Sequence, residues 1–269
     1  MAKLRSVSLS IALFAAAAAL FCAPPGSRGN RWARYEPEMQ DPVNDPPDAG
    51  EKREFAFGRL RYRSPRDSWS PYARWAIDCN KSDRQFLIGL RRLSRVDAQS
   101  IEEIVDIESD EIFDQPWMFG VAIGDWVLTD AHALRLRKYF ERGGFMMTDD
   151  FHNDREWEEF MIGVKKIFPN AEWIEIPNDH PIFHMNYNLE SRVQIPGQNV
   201  VHGPGYERGG VVPHWRAILD SKGRIMIAAC HNMDVGDAWE FADDPDYPER
   251  FSSEAYRLGI NYVLYAMTH

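Results

Sequence analysis

The sequence predicts an α/β protein: a three-layer sandwich in which a mostly parallel, open sheet carries helices on both faces. Short apolar or alternating segments recur along residues 54–269, and segments with apolar residues at helical spacing separate them. Because parallel strands need a crossover, usually a helix, this alternation favours a mostly parallel sheet. Two apolar segments flank residues 220–223, which predicts an antiparallel hairpin at one edge of the sheet.

The strands are predicted from short apolar runs. Residues 55–62 alternate apolar and polar side chains, which indicates a strand with one covered face. Residues 117–123 are almost all apolar, as expected for a central strand covered on both faces. The other predicted strands are residues 101–107, 145–148 and 171–176, followed by the hairpin strands 215–219 and 224–229.

The helices are predicted from capping residues and apolar stripes. Residues 71–93 carry apolar side chains on one helical face. Thr129 is a suitable N-cap for the next helix, and Gly143 is suited to its end. Asn153 with Glu156 three residues later is a capping-box pattern. A last helix is predicted to open at Ser252.

The N-terminal region differs from the rest of the chain. Residues 1–26 begin with Lys3 and Arg5 and continue with an uncharged apolar run, which predicts a secretory signal. A run of about 18 apolar residues also suffices to span a bilayer, so an uncleaved anchor is the alternative. Residues 27–53 are rich in proline and charge and predict a flexible linker. We therefore expect residues 54–269 to form one exported domain, periplasmic or in the cell envelope.

Charge and cysteine content exclude several classes of function. The formal net charge of −10 argues against a nucleic-acid partner, and a membrane is expected to be contacted only through an uncleaved N-terminal segment. Cys79 and Cys230 could pair in an oxidising compartment, but two separate buried thiols are favoured. No GxSxG or GxCxG elbow is present, so Cys230 is interpreted as structural and not as a nucleophile.

Three polar clusters directly follow predicted strands. In open α/β sheets, ligands bind beyond the carboxyl ends of the strands, so these clusters are expected to converge in one crevice. Carboxylate and imidazole groups there could bind a divalent metal or act as a general acid and base. The candidate ligand-binding residues are Asp149, Asp150 and His152 in the first cluster, Asp179 and His180 in the second, and Asp234 and Asp237 in the third.

Each cluster also has a structural interpretation. The first precedes a predicted helix, where acids interact favourably with the helix dipole. The second precedes Pro181 and could only shape a turn, and the carboxylates of the third could accept hydrogen bonds from the backbone. Trp239, inside the third cluster, could stack on a sugar ring, but packing over the domain is favoured.

Five segments, in their order along the chain, resemble the bacterial family called domain of unknown function 4159. They are residues 57–62 (FGRLRY), 143–152 (GGFMMTDDFH), 176–183 (IPNDHPIF), 232–240 (NMDVGDAWE) and 258–262 (LGINY). The resemblance covers about residues 54–267 and implies a class I glutamine amidotransferase-like, flavodoxin-like fold, which the trehalose-utilisation proteins share. The chain lacks the cysteine elbow and the Cys-His-Glu triad of amidotransferases, so glutaminase activity is not expected.

Two classes of function remain. We favour a non-catalytic ligand-binding or accessory module of the cell envelope, whose partner is a small-molecule ligand or an envelope protein. The alternative is an exported enzyme, a metal-assisted hydrolase or a sugar-modifying enzyme, that uses the Asp/His crevice. The sequence leaves the cofactor unknown, and a divalent metal is the one its residues suggest.

Overall fold

The computed structural model describes residues 44–68 and 73–269. The predicted signal and the predicted linker up to residue 43 lie outside the described residues. The end of that linker, residues 44–53, contacts the domain through ion pairs. Asp45 Oδ1 lies 2.6 Å from Arg84 Nη2, and Asp48 Oδ2 lies 3.0 Å from Arg91 Nη2. Residues 44–53 therefore pack along the first helix of the domain.

The described residues contain a seven-stranded sheet with the strand order β2-β1-β3-β4-β7-β6-β5. The first five strands in this order run parallel, while β6 runs antiparallel to both β7 and β5. The predicted α/β class and the antiparallel edge hairpin are thus confirmed. The strands are β1 (Gly58–Arg61), β2 (Glu103–Asp106), β3 (Trp117–Val121), β4 (Phe145–Asp149), β5 (Trp173–Glu175), β6 (His214–Leu219) and β7 (Ile225–His231).

Helices cover both faces of the sheet. One apolar cluster packs α1, α4 and α5 against one face, and a second packs α2 and α3 against the other. No described helix is both long enough and apolar enough to cross a membrane. The helices are α1 (Lys81–Leu93), α2 (Asp130–Glu141), α3 (Asn153–Ile167), α4 (Val235–Glu240) and α5 (Glu249–Thr268).

The predicted caps are present at α2 and α3. Thr129 Oγ1 accepts a hydrogen bond from the His132 backbone N–H at 3.1 Å. Asn153 Oδ1 accepts one from the Glu156 N–H at 3.2 Å, as a capping box requires. The Glu156 carboxylate, however, accepts from the N–H of His152 at 2.7 Å, one residue earlier than the motif predicts. The last helix begins at Glu249, three residues before the predicted Ser252.

The helix predicted for residues 71–93 is too long, because a buried arginine holds the preceding segment in another conformation. Arg59 on β1 is fully buried, although the alternation of the strand predicted a polar, exposed position. Its Nη1 donates to the carbonyls of Trp75 and Ile77 at 3.3 and 2.9 Å, and its Nε donates to Asp83 Oδ2 at 2.7 Å. Asp78, which follows these carbonyls, has a left-handed φ of 60° that interrupts a helix, and α1 starts only at Lys81.

Candidate functional site

A cavity of about 360 Å³ opens at the carboxyl ends of the parallel strands. The chain passes from β1 outward to β2 and then returns to β3 on the other side of β1, which makes this edge a topological switch point. The charged side chains that line the cavity are Asp78, Asp150, Glu207, Asp234, Asp237, Glu240, Arg74 and Arg208.

Asp150 is the first residue after β4 and is buried. Its Oδ1 lies 2.8 Å from Arg208 Nη2 and 3.2 Å from His152 Nε2. Burial opposes the charged form of this carboxyl, but Arg208 and His152 outweigh it and hold the pKa of Asp150 well below its usual range. Asp150 is therefore an ionised carboxylate that faces the cavity.

His152 and Glu207 complete a set of three side chains around Asp150. One ligand atom from each of Asp150, His152 and Glu207 lies within 4.8 Å of the other two. His152 is only 1% exposed, and its Nδ1 has no hydrogen-bond partner among the described residues. An imidazole and two carboxylates at this separation are a donor set that suits a divalent cation such as Mn²⁺ or Zn²⁺.

A second set, all carboxylates, adjoins the first. Ligand atoms of Asp78, Asp237 and Glu240 also lie within 4.8 Å of one another. Gly197 lies between the two sets. A Cβ there would overlap Glu207 Oε1 and lie 3.1 Å from Asp237 Oδ2. The absence of a side chain at Gly197 thus allows the carboxylates of the two sets to approach each other.

The carboxylates of the cavity raise one another's pKa. Burial, and then the charges of Asp237 and Asp150, raise the pKa of Asp234 well above its usual value. Burial and the charge of Asp150 also raise the pKa of Glu207. Six carboxyl groups line the cavity against two arginines, so bound protons or bound cations must offset the excess negative charge.

The predicted residues Asp149, Asp234 and Asp237 are tied to helix α4, which the sequence did not predict. Asp149 Oδ2 accepts hydrogen bonds from the N–H groups of Val235 and Gly236, both at 2.7 Å, and this carboxyl does not line the cavity. Burial raises its pKa well above the usual value. Asp149 is therefore a structural residue, but it supports α4 and not the directly following helix α3 that the sequence interpretation named.

Asp234 and Asp237 both accept hydrogen bonds from the backbone and also line the cavity. Asp234 Oδ1 accepts from the Asp237 N–H at 2.9 Å and caps α4, and Asp237 Oδ2 accepts from the Gln198 N–H at 2.6 Å. Both side chains nevertheless line the cavity. Of the seven predicted residues, five thus lie at this edge of the sheet: Asp150, Asp234 and Asp237 line the cavity, His152 contacts Asp150 from behind it, and Asp149 supports α4.

Asp179 and His180 do not join the others, contrary to the expected convergence. After β5 the chain runs along the sheet face, with Ile182 and Phe183 in the core, toward the amino ends of the strands. His180 there lines a separate cavity with Gly143 and Arg224, which precede β4 and β7. Its Nδ1 accepts a hydrogen bond from the Ile182 N–H at 3.2 Å, as the turn interpretation predicted.

Sequence analysis missed Arg74, Asp78, Glu207, Arg208 and Glu240. Asp78 and Arg74 precede α1 in a segment predicted as helix, and Glu240 ends the unpredicted α4. Glu207 lies in a glycine-rich loop between β5 and β6 that has no periodic apolar pattern. The one signal that could have located Asp78 was Arg59, because a charged residue inside a strand requires partners nearby if it is buried, whereas the strand pattern predicted it to be exposed.

Positive φ angles mark the same edge of the sheet. A left-handed backbone is strained for residues other than glycine and is concentrated at functional sites in many proteins. Asp78, Asp150 and Arg208, with φ of 60°, 48° and 44°, all line the cavity. The other described non-glycine residues with positive φ are Ala122 and Asn232, which directly follow β3 and β7, and Asn153, the first residue of α3.

Two other predictions for this region are confirmed. Cys79 and Cys230 are buried and form no disulfide with each other, and burial raises the pKa of the Cys230 thiol well above its usual value. Trp239 is fully buried and packs on Phe86 with a ring-centroid distance of 4.4 Å. Trp239 therefore stabilises the core and offers no surface to a sugar.

Comparison with known proteins gives a family and no activity. No curated protein matches the chain. The family model described as "Domain of unknown function (DUF4159)" matches residues 56–267, which include β1 and nearly all of the last helix. This match spans the whole sheet and every residue that lines the cavity. The chain therefore belongs to the domain of unknown function 4159 family.

Proposed function

We propose that the cavity binds a divalent cation through Asp150, His152 and Glu207 and that the protein is a cation-dependent ligand-binding module. The observation that carries this proposal is that ligand atoms of these three side chains lie within 4.8 Å of one another at the wall of a cavity with excess negative charge, which Asp150 and Glu207 line. A bound cation would offset the carboxylates that otherwise raise the pKa of Glu207 and Asp234. Mn²⁺ fits the mixed donor set, since it accepts both carboxylate and imidazole ligands.

The test is a Mn²⁺ titration of the full chain, followed by the electron paramagnetic resonance signal of the free ion. Asp150→Asn keeps the shape of the side chain and removes its charge, so the dissociation constant should rise at least about tenfold. Asp154→Asn is the matched control, because Asp154 is exposed on the first turn of α3. Equal affinity in the two variants, or no binding by the wild type, would refute the proposal.

Catalysis is the second candidate, and one observation favours it. Neighbouring carboxyl groups of the cavity have pKa values shifted in opposite directions, down for Asp150 and up for Glu207. Such a pair can provide a base and an acid at the same pH, as in metal-assisted hydrolysis. Hydrolysis of nitrophenyl phosphates, esters or glycosides that requires Mn²⁺ and is abolished by Glu207→Gln would favour an enzyme over a binding module.

The proposal also concerns fold type and cellular location. The five parallel strands follow the order β2-β1-β3-β4-β7, which corresponds to the 2-1-3-4-5 order of flavodoxin-like sheets and supports that fold assignment. The buried Cys230, with its raised pKa, argues against glutaminase chemistry. We place the module in the periplasm or cell envelope on the basis of the signal-like residues 1–26. Its partner is a small-molecule ligand or an envelope protein.

A further inference from the structure

Arg74 is the cavity-lining arginine without a salt bridge to a described residue, and the carboxylates of Asp150 and Asp125 act on its charge only at longer range. Arg208, the other arginine of the cavity, pairs with Asp150 at 2.8 Å. Arg74 forms no ion pair within residues 44–68 and 73–269, and its Nε is buried without a hydrogen-bond partner there. A guanidinium in such a position retains its donors for a ligand, and its planar fork matches a phosphate or a carboxylate.

The position of Arg74 is fixed by the backbone around it. The Arg74 N–H donates to Asp67 Oδ1 at 3.1 Å. The next turn is held by Arg59, whose guanidinium donates to the carbonyls of Trp75 and Ile77. Because Arg59 is itself fully buried and paired with Asp83, the segment that carries Arg74 is anchored to β1. This anchoring lowers the conformational entropy that ligand binding must overcome.

We propose that the cavity binds the oxyanion group of a small ligand, a phosphate or a carboxylate, between Arg74 and the cation held by Asp150, His152 and Glu207. The inference rests on the proposed function, since six carboxyl groups would repel an anion unless a cation is bound first. Binding of the cation and of the oxyanion is therefore coupled, and each tightens the other by the same factor.

The test uses the full chain and calorimetric titration with inorganic phosphate and, separately, with acetate. With Mn²⁺ present, one of the two anions should bind, and the tighter one identifies the class of oxyanion. With a chelator in place of Mn²⁺, its affinity should fall at least about tenfold. The same anion should tighten the binding of Mn²⁺ by an equal factor.

Two variants separate this inference from the proposed function. Arg74→Gln should weaken the anion at least about tenfold without weakening Mn²⁺ alone, since it removes a positive charge near Asp150, and Arg74→Lys should restore part of the loss. Arg155→Gln is the control, since Arg155 is exposed on α3. Mn²⁺ binding without cation-dependent binding of either anion would overturn the inference alone. Failure of Mn²⁺ to bind would overturn the proposed function as well.

Discussion

At the scale of single residues, the adjacent acids Asp149 and Asp150 have different roles: Asp149 stabilises the fold, and Asp150 lines the cavity. Asp149 is the last residue of β4 and points toward the layer of α1, α4 and α5, where its carboxyl holds the start of α4. Asp150 adopts a positive φ and turns its side chain into the cavity. The two adjacent acids consequently have pKa values shifted in opposite directions.

We predict that Asp149→Ala lowers the free energy of unfolding by about 2–5 kcal/mol, because it leaves the buried N–H groups of Val235 and Gly236 without acceptors. Asp149→Asn should cost much less, since its amide oxygen can accept both hydrogen bonds. Urea denaturation measures both values. An equal loss in the two variants would show that the charge of Asp149, and not its acceptor oxygen, supports α4.

His231 at the end of β7 makes stability depend on pH. Its Nδ1 lies 3.0 Å from Arg216 Nη1, and its Nε2 lies 3.0 Å from the Asn153 carbonyl. Because an arginine only donates and a carbonyl only accepts, the ring is neutral with its proton on Nε2. Burial, together with the charge of Arg216, lowers the pKa of His231 to about 3.

The stabilisation due to neutral His231 should be complete above the unfolded pKa of about 6.5 and should be lost as the pH falls toward 3. His231→Gln removes the titrating group, so its melting temperature should fall less between pH 7 and pH 4.5 than that of the wild type. His202→Gln is the control, because His202 is an exposed loop residue whose Nε2 lies 2.6 Å from the Asp246 carbonyl oxygen. Identical pH profiles for wild type and His231→Gln would contradict this assignment.

At the scale of elements, the loop between β5 and β6 builds one wall of the cavity. It contributes Glu207 and Arg208, and it passes Gly197 close to the start of α4. A Cβ at Gly197 would overlap Glu207 Oε1 and lie 3.0 Å from Asp234 Oδ2. The loop therefore depends on a glycine at this point to bring its carboxylate beside those of α4.

Gly197→Ala should weaken Mn²⁺ binding at least about tenfold, because Glu207 must move to avoid the new methyl group. Gly203→Ala is the matched control in the same loop, since the nearest atom to its Cβ would be 3.6 Å away. The Mn²⁺ titration gives the affinities, and thermal melting shows whether each variant folds. Unchanged affinity in a folded Gly197→Ala variant would exclude Glu207 as a ligand.

At the scale of the whole molecule, local patterns predicted the sheet and most of its helices. The apolar run of β3, the caps Thr129 and Asn153, and the hairpin around residues 220–223 all depend on neighbouring residues, which a sequence displays directly. Clusters at strand ends also predicted Asp150, His152, Asp234 and Asp237 at one edge, because the topology of a parallel sheet brings such ends together.

The remaining features depend on contacts between distant segments. The sequence gives no sign that the chain after β5 crosses the sheet face, so Asp179 and His180 were expected at the wrong edge. The Arg59 network positions Asp78 at the cavity, and the loop before β6 positions Glu207 there. Neither segment has a periodic pattern. Local propensities cannot predict non-local packing of this kind.

The most direct test of cation binding is a crystal structure of the protein soaked with Mn²⁺, with diffraction data collected at the manganese absorption edge. The account predicts an anomalous peak about 2.0–2.3 Å from a ring nitrogen of His152 and from carboxylate oxygens of Asp150 and Glu207. An anomalous map with no peak in the cavity, or with peaks only at surface carboxylates, would contradict it.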